Sequence, residues 1–265
     1  MEDFPAHVWF DGAFYAAERG DLEELRSILE AKADLSSQNR SHMHNGWDAL
    51  HHGAWGGNRE VVTYLVDAKA TINSRNARGE TPLHLATRGD CVDVVECLVQ
   101  RKAEVDAADH KGETALHHAA RGHTAIGKLL IEAKADASRF DNCGWNPLHI
   151  AVMGGHPGAV QSLIDSRADV EVENGDCKSS LQLAFEAREE QNPHYEHNPN
   201  YKRHFVCQIV KQSHDRKVIS EILHRDMDHR VSMLFEEILS AIGRLDEPED
   251  DTYTVDGAWN FPWIT

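Results

Sequence analysis

The chain has 265 residues, 41% of them hydrophobic and 27% charged, with a formal net charge of −17. That acidic balance argues against non-specific nucleic-acid binding, which runs on lysine and arginine neutralising phosphates, and it disfavours an anionic membrane surface. No run of about 18 apolar residues reads as a membrane span, and the opening Met1-Glu2-Asp3-Phe4-Pro5 lacks the basic and apolar regions of a signal peptide, so cytoplasm or a compartment continuous with it is the expected location.

In chain order, the first predicted element is capped by Asp11 and runs through Phe14, Ala16 and Ala17. It turns at Gly20-Asp21 into a second helix whose apolar face carries Leu22, Leu25, Ile28 and Leu29. Ahead of it, Phe4, Val8, Trp9 and Phe10 suggest a lid over residues 1–9. The link over residues 36–45 carries His42-Met43-His44. A zinc reading of His42, His44, His51 and His52 is the weaker one, since no cysteine accompanies them and His51 has a structural role in the pattern below.

That pattern starts at Trp47-Asp48-Ala49-Leu50-His51. It returns as Thr81-Pro82-Leu83-His84, Thr114-Ala115-Leu116-His117, Asn146-Pro147-Leu148-His149 and, worn, Ser179-Ser180-Leu181-Gln182. The leucines are spaced 33, 33, 32 and 33 residues apart, the signature of a repeat architecture. Asp48, Thr81, Thr114, Asn146 and Ser179 share one competence: a side-chain oxygen that accepts from the orphan amides of a first helical turn. Pro82 and Pro147 sit where a missing amide hydrogen costs nothing. The histidine lies in the first turn, close enough to bond back to the cap and to the neighbouring turn. Second helices follow with the apolar ridges Val61-Val62-Leu65, Val94-Val95-Leu98, Ile126-Leu129-Leu130 and Val160-Leu163-Ile164.

Thr81-Pro82-Leu83-His84-Leu85-Ala86, recurring at this period after the turn glycines Gly79, Gly112 and Gly144, resembles the ankyrin repeat. The resemblance implies an all-α solenoid of helix-turn-helix units with β-turn tips, over residues 10–213, with repeats near 10–44, 45–77, 78–110, 111–142, 143–175 and 176–213. One departure recurs: Lys32, Lys69, Lys102, Lys134 and Arg167 stand where the family favours a glycine with left-handed backbone. That conformation costs a residue with a Cβ roughly 1 kcal/mol, and the cation recovers about 0.3–1 kcal/mol from the negative helix end.

Beyond the regular units, residues 191–201 read as a loop with two prolines and two tyrosines. Residues 214–245 read as an amphipathic helical cap on the stack, and 246–265 as an acidic tail tipped by Trp259, Phe261, Trp263 and Ile264. His224-Arg225-Asp226 imitates a kinase triplet without the rest of that machinery. Cys91, Cys97, Cys143, Cys177 and Cys207, without CxxC spacing, read as reduced core residues and not as a disulfide or zinc framework.

In the ankyrin family the turn tips and inner face of the first helices line a groove. Carried over position by position, this implies a partner-binding set of Trp47, Trp55, Arg78, Glu80, Arg88, His110, Lys111, Glu113, Arg121, Asn142, Trp145 and Met153. It reads as a basic centre between tryptophan-bearing ends, suited to an acidic segment with aromatic anchors, and the chain's own tail is one such segment. The expected function is a non-enzymatic protein-interaction module, an adaptor or scaffold subunit of a larger assembly. The alternative is a regulatory or accessory chain of an enzyme complex. No spacing calls for a cofactor or a metal, and nothing places a catalytic base or nucleophile in a polar cleft.

Overall fold

The computed structural model describes residues 6–30, 46–180 and 182–183. Within them the chain forms five successive helix pairs. These are α1 (Ala6–Arg19) with α2 (Leu22–Glu30), α3 (Ala49–Trp55) with α4 (Arg59–Asp67), α5 (Pro82–Arg88) with α6 (Val92–Gln100), α7 (Ala115–Ala119) with α8 (Thr124–Glu132), and α9 (Pro147–Met153) with α10 (Pro157–Asp165). First helices pack on first helices, α1 on α3 on α5 on α7 on α9, and α4, α6, α8 and α10 form a parallel row. The architecture is all-α; an isolated antiparallel bridge joins Glu173 and Ser179. No helix among the described residues is long and apolar enough to cross a membrane.

Asp11 does not cap the first helix as the sequence suggested. α1 is already helical from Ala6, so Asp11 lies inside it, and residues 6–9, expected as a lid, are its first turns. The worn sixth unit beyond residue 183, Lys32, the loop at 191–201, the helical stretch 214–245 and the tail with Trp259, Phe261, Trp263 and Ile264 lie outside the described residues.

One apolar strip runs the length of the stack. The pattern leucines Leu50, Leu83, Leu116 and Leu148 are at most 1% exposed, and they meet Val61, Val62, Leu65, Val94, Val95, Leu98, Ile126, Leu130, Val160 and Leu163 from the second helices. Burying each such side chain contributes about 1.5–3 kcal/mol. Cys97 belongs to this strip, whereas Cys143 and Cys177, also read as core residues, are exposed. Both occupy turns, at positions that never face the strip. The left-handed expectation holds where it is visible: φ is 71° at Lys69, 64° at Lys102, 69° at Lys134 and 66° at Arg167.

The pattern histidines do more than cap. Nδ1 of His84 accepts from the Thr81 backbone N–H at 3.1 Å, and the same bond recurs at His117 on Thr114 at 3.1 Å and at His149 on Asn146 at 3.2 Å. With Nδ1 accepting, the ring proton sits on Nε2, which donates to the next unit: His51 to the Glu80 carbonyl, His84 to that of Glu113, and His117 to that of Trp145, each at 3.1 Å. His149 reaches the Val172 carbonyl at 2.8 Å. The carbonyls of Glu80, Glu113 and Trp145 also accept from Asn76, Asp109 and Asp141 to close their own turns. One imidazole thus fastens a helix start to the neighbouring β-turn. In the worn copy Gln182 Oε1 accepts from the Ser179 N–H at 2.8 Å, so the amide oxygen takes over the part of Nδ1.

Turn tips join directly as well. His110 N donates to Arg78 O at 2.9 Å, Asn142 N to Lys111 O at 2.8 Å and Gly175 N to Gly144 O at 3.1 Å. This closeness, together with φ of +75°, explains Gly79: a Cβ there would stand 2.9 Å from His110 N and 2.5 Å from its ring.

Removing an imidazole exposes this dual role. His84→Ala leaves the buried Thr81 amide without its acceptor and the Glu113 carbonyl with one donor fewer, and is expected to destabilise the chain by about 2–4 kcal/mol in urea unfolding. His84→Gln, which reproduces the Ser179–Gln182 cap, is expected to recover part of that loss. Equal midpoints for the alanine variant and the unmodified chain would overturn the assignment.

Candidate partner-binding groove

Two positions per unit recur at a separation of eight residues: the one before the cap and one at the end of the first helix or, in the unit of α7, just past it. They read Trp47 and Trp55, Glu80 and Arg88, Glu113 and Arg121, Trp145 and Met153. The two ends of the groove are therefore aromatic or thioether pairs, and its two middle units are acid–base pairs.

The middle differs from what the sequence suggested. Glu80 and Glu113 are buried, 2% and 7% exposed. Each turns inward to bond the arginine of its own unit, Glu80 Oε1 with Arg88 Nη1 and Glu113 Oε1 with Arg121 Nη2. A guanidinium–carboxylate hydrogen bond at a half-buried site satisfies both charges, so the expected basic centre is internally neutralised. Charges eight residues apart in sequence are joined by the turn of the helix, a relation that a linear reading of isolated exposed cations misses.

Exposed basic and polar side chains of the groove lie on the turn tips. Arg78, His110 and Lys111 are exposed, and Asn142, also exposed, donates through Nδ2 to the His110 carbonyl at 2.9 Å. Arg75, which the sequence reading passed over, braces the tips by donating to the carbonyls of Gly79 at 3.0 Å and Ala108 at 2.6 Å.

At the first end, Trp47 is 6% exposed and packs edge-on to His52 at 5.1 Å and Trp55 at 6.0 Å between ring centroids. Its burial corrects the expectation that its side chain is spared for a partner. Trp55 remains 36% exposed, with the Arg88 guanidinium 5.4 Å from its ring centroid, a cation–π contact between units. At the other end Met153 is 41% exposed and Trp145 is half-buried against His149. His52 stacks on Phe14 at 5.2 Å and lies 2.9 Å from Glu18 Oε2, which places it in the N-terminal packing and not in a zinc site; His42 and His44 lie outside the described residues.

His118 went unnoticed in the sequence, although the doublet His117-His118, like His51-His52 two units earlier, was its signal: the other sister positions hold Leu85 and Ile150. Its Nδ1 accepts from Arg121 Nη1 at 3.2 Å, its ring meets His84 edge-on at 5.6 Å, and its buried Nε2 has no hydrogen-bond partner among the described residues. Burial foremost, then the nearby His84, Arg121, Arg88 and His117, pushes its pKa down to about 2. Burial also lowers His84, His117 and His149. Among the described residues, Asp109, Glu113 and His118 bring donor atoms within 4.8 Å of one another, a grouping with metal-ligand chemistry.

A stack of capped helix pairs with imidazole-bridged turns and an exposed row of helix ends defines a repeat protein of the ankyrin class. The model of the ankyrin repeats (3 copies) matches residues 13–109 and 102–174, more than half of the chain, and the chain belongs to the ankyrin-repeat family. It is 34% identical over 73 residues to ankyrin repeat domain-containing protein 40 of Mus musculus, covering 28% of this chain and 19% of that protein. It is 37% identical over 68 residues to the E3 ubiquitin-protein ligase XBAT32 of Arabidopsis thaliana, covering 26% and 13%. With protein phosphatase 1 regulatory subunit 27 of Homo sapiens it shares 43% over 56 residues, covering 20% and 36%. The matches thus span about a fifth or less of the first two relatives and little more than a third of the last.

Four imidazoles held neutral by burial tie stability to pH. Their folded pKa values lie below the ordinary value of about 6.5, so as pH falls through that value the unfolded chain takes up protons that the folded chain refuses. The stabilisation is complete above that value and is lost progressively below it, by up to about 1.4 kcal/mol per pH unit for each histidine. Urea midpoints are expected to drop steeply between about pH 7 and 5. A flat profile there would contradict the burial of neutral His84, His117, His118 and His149.

Proposed function

We propose that this chain is a non-enzymatic adaptor or scaffold subunit that holds a partner polypeptide along the groove of its ankyrin stack, in the cytoplasm or a compartment continuous with it. The observation that carries this reading is the row Trp55, Arg88, Arg121, Met153 at the ends of the first helices. Trp55 and Met153 stay 36% and 41% exposed at its two ends, where the continuous core does not need them. Large apolar side chains left at the rim of a groove are the residue types that dominate binding energy once a partner desolvates them.

Electrostatics refines the partner. With Arg88 and Arg121 occupied by Glu80 and Glu113, the cations available to an acidic segment are those of the turn tips, Arg78 and Lys111, with His110 beside them. The partner is therefore read as a polypeptide whose acidic stretch runs along the tips while apolar side chains seat against Trp55 and Met153. The acidic tail of residues 246–265, with Trp259, Phe261, Trp263 and Ile264, has that chemistry and is proposed to occupy the same groove when no partner is present. A second reading, the regulatory or accessory chain of an enzyme complex, is favoured by one relative's name, that of protein phosphatase 1 regulatory subunit 27.

Affinity capture with the intact chain, followed by binding measurements on the recovered partner, tests the reading. Trp55→Ala with Met153→Ala is expected to weaken binding at least tenfold, in line with about 2 kcal/mol for a central aromatic anchor. Arg78→Glu with Lys111→Glu is expected chiefly to slow association and to weaken its dependence on salt. Partners retained at full affinity by both double variants would remove the groove from consideration.

A further inference from the structure

We propose that Asp109, Glu113 and His118 form a divalent-cation site of the zinc class in the middle of the groove, with Arg121 as its internal competitor. The strongest reason comes from comparing two neighbouring units built on the same plan. In the unit of α5 the corresponding positions are Asn76, Glu80 and Leu85. There Arg88 holds Glu80 Oε1, Asn76 Nδ2 donates to Glu80 Oε2 at 2.7 Å, and the apolar Leu85 makes no polar demand. In the unit of α7 the amide is replaced by the carboxylate of Asp109, which cannot donate, and the leucine by His118. Arg121 still holds Glu113 Oε1, but Oε2 faces His118 Nε2 at 3.8 Å, too long for a hydrogen bond. Two substitutions in one unit have thus replaced a self-sufficient arrangement by three donor atoms within 4.8 Å of one another.

His118 is the second, independent pointer. It is 6% exposed, and because Nδ1 accepts from Arg121 the ring proton lies on Nε2, which is buried and finds no hydrogen-bond acceptor among the described residues. A buried donor left without an acceptor is destabilising, a penalty that the leucine of the α5 unit avoids. Asp109 is already oriented, its Oδ1 accepting from the backbone amides of Lys111 at 2.8 Å and Glu113 at 2.9 Å, as ligand carboxylates commonly are.

Binding is an exchange. The ion takes Nε2 of His118 and carboxylate oxygens of Glu113 and Asp109, drawing the 3.8 Å pair to roughly 3.3 Å, the separation that bonds of about 2.0–2.1 Å in a tetrahedral shell require. The Nε2 proton leaves to solvent, Nδ1 takes one up, and the Arg121 guanidinium, whose donor Nη1 cannot face a protonated Nδ1, swings out. The Arg121 side chain is 45% exposed, so its path to water is short. Charge balances: two carboxylates facing one guanidinium become two carboxylates facing a dication, while Arg88 stays with Glu80. Mixed imidazole and carboxylate donors favour Zn²⁺ or Co²⁺ over the all-oxygen preference of Ca²⁺ and Mg²⁺.

The chain supplies its own substitutions for the test. Asp109→Asn and His118→Leu install the residues of the sister unit, Asn76 and Leu85, and Arg121→Met installs Met153 of the unit that follows. Co²⁺ is titrated into the full chain and each variant, followed by visible absorption and displaced by Zn²⁺, with circular dichroism to confirm the fold. The full chain is expected to bind with a visible band, Asp109→Asn and His118→Leu to weaken that binding at least about tenfold, and Arg121→Met to strengthen it several-fold. Binding unchanged in the first two variants, or weakened in Arg121→Met with the fold intact, would overturn the site. Should a ligand variant fail to fold, the Arg121→Met titration alone still decides. None of these outcomes depends on whether the groove holds a polypeptide.

Discussion

An imidazole that bonds at both ends is the constraint on which this structure depends. At His84, His117 and His149 the ring is locked into one tautomer because Nδ1 faces an amide of its own helix start, which obliges Nε2 to donate to the next turn; at His51, whose Nδ1 also lies 2.8 Å from Asp48 Oδ1, Nε2 likewise meets the next turn at the Glu80 carbonyl. Capping and stacking are thereby one act. A helix of five to seven residues, as α3, α5, α7 and α9 are, has little standing alone, since nucleation is costly and such lengths are marginal in water. Its start becomes secure only when the neighbouring turn is in place to receive the other nitrogen. This is why cooperativity passes from unit to unit even though each touches only its neighbours.

The same plan, varied at few positions, yields units with different surfaces. The framework residues are those whose bonds are internal to the stack; the positions eight residues apart before and after each first helix are left to vary, and they hold indole, thioether or ion-paired side chains in turn. Neutralising Arg88 and Arg121 from within by Glu80 and Glu113 keeps those cations on a fixed leash, so charge is displayed at the tips and shape along the helix ends. Where Asp109 and His118 stand in place of Asn76 and Leu85, titratable groups gather in a place that the α5 unit keeps hydrogen-bonded within itself.

Most of the fold was legible in the sequence because the signals were periodic. A capping oxygen, a leucine and a histidine recurring every 32 or 33 residues, with an N1 proline in two of the units, fix helix starts, and the visible left-handed Lys and Arg positions confirm where second helices end. The first unit was less legible: Asp11 looked like a cap because nothing local distinguishes a capping aspartate from one inside a helix, and α1 runs through it. The groove was legible as a set of positions but not as a charge pattern. Glu80 and Glu113 read as exposed acids until the helix brought them to Arg88 and Arg121, and Trp47 read as a free anchor until His52 and Trp55 enclosed it. Pairing is a property of three-dimensional proximity, and single positions do not announce it. The reach of the histidines to the neighbouring turn was legible, but the particular acceptors, the backbone carbonyls of Glu80, Glu113, Trp145 and Val172, were not, since every sequence has carbonyls and none advertises them.

The glycine at the tip of the β-turn has a geometric consequence of its own. With the backbone of His110 about 2.9 Å from where a Cβ of Gly79 would stand, neighbouring tips are in van der Waals contact, while the helices behind them are kept apart by the bulk of leucine and valine. A Cβ at Gly46, Gly79, Gly112 or Gly144 would each time stand less than 3 Å from an atom of the following unit, so the approach of successive tips rests on the absence of one methyl group per layer.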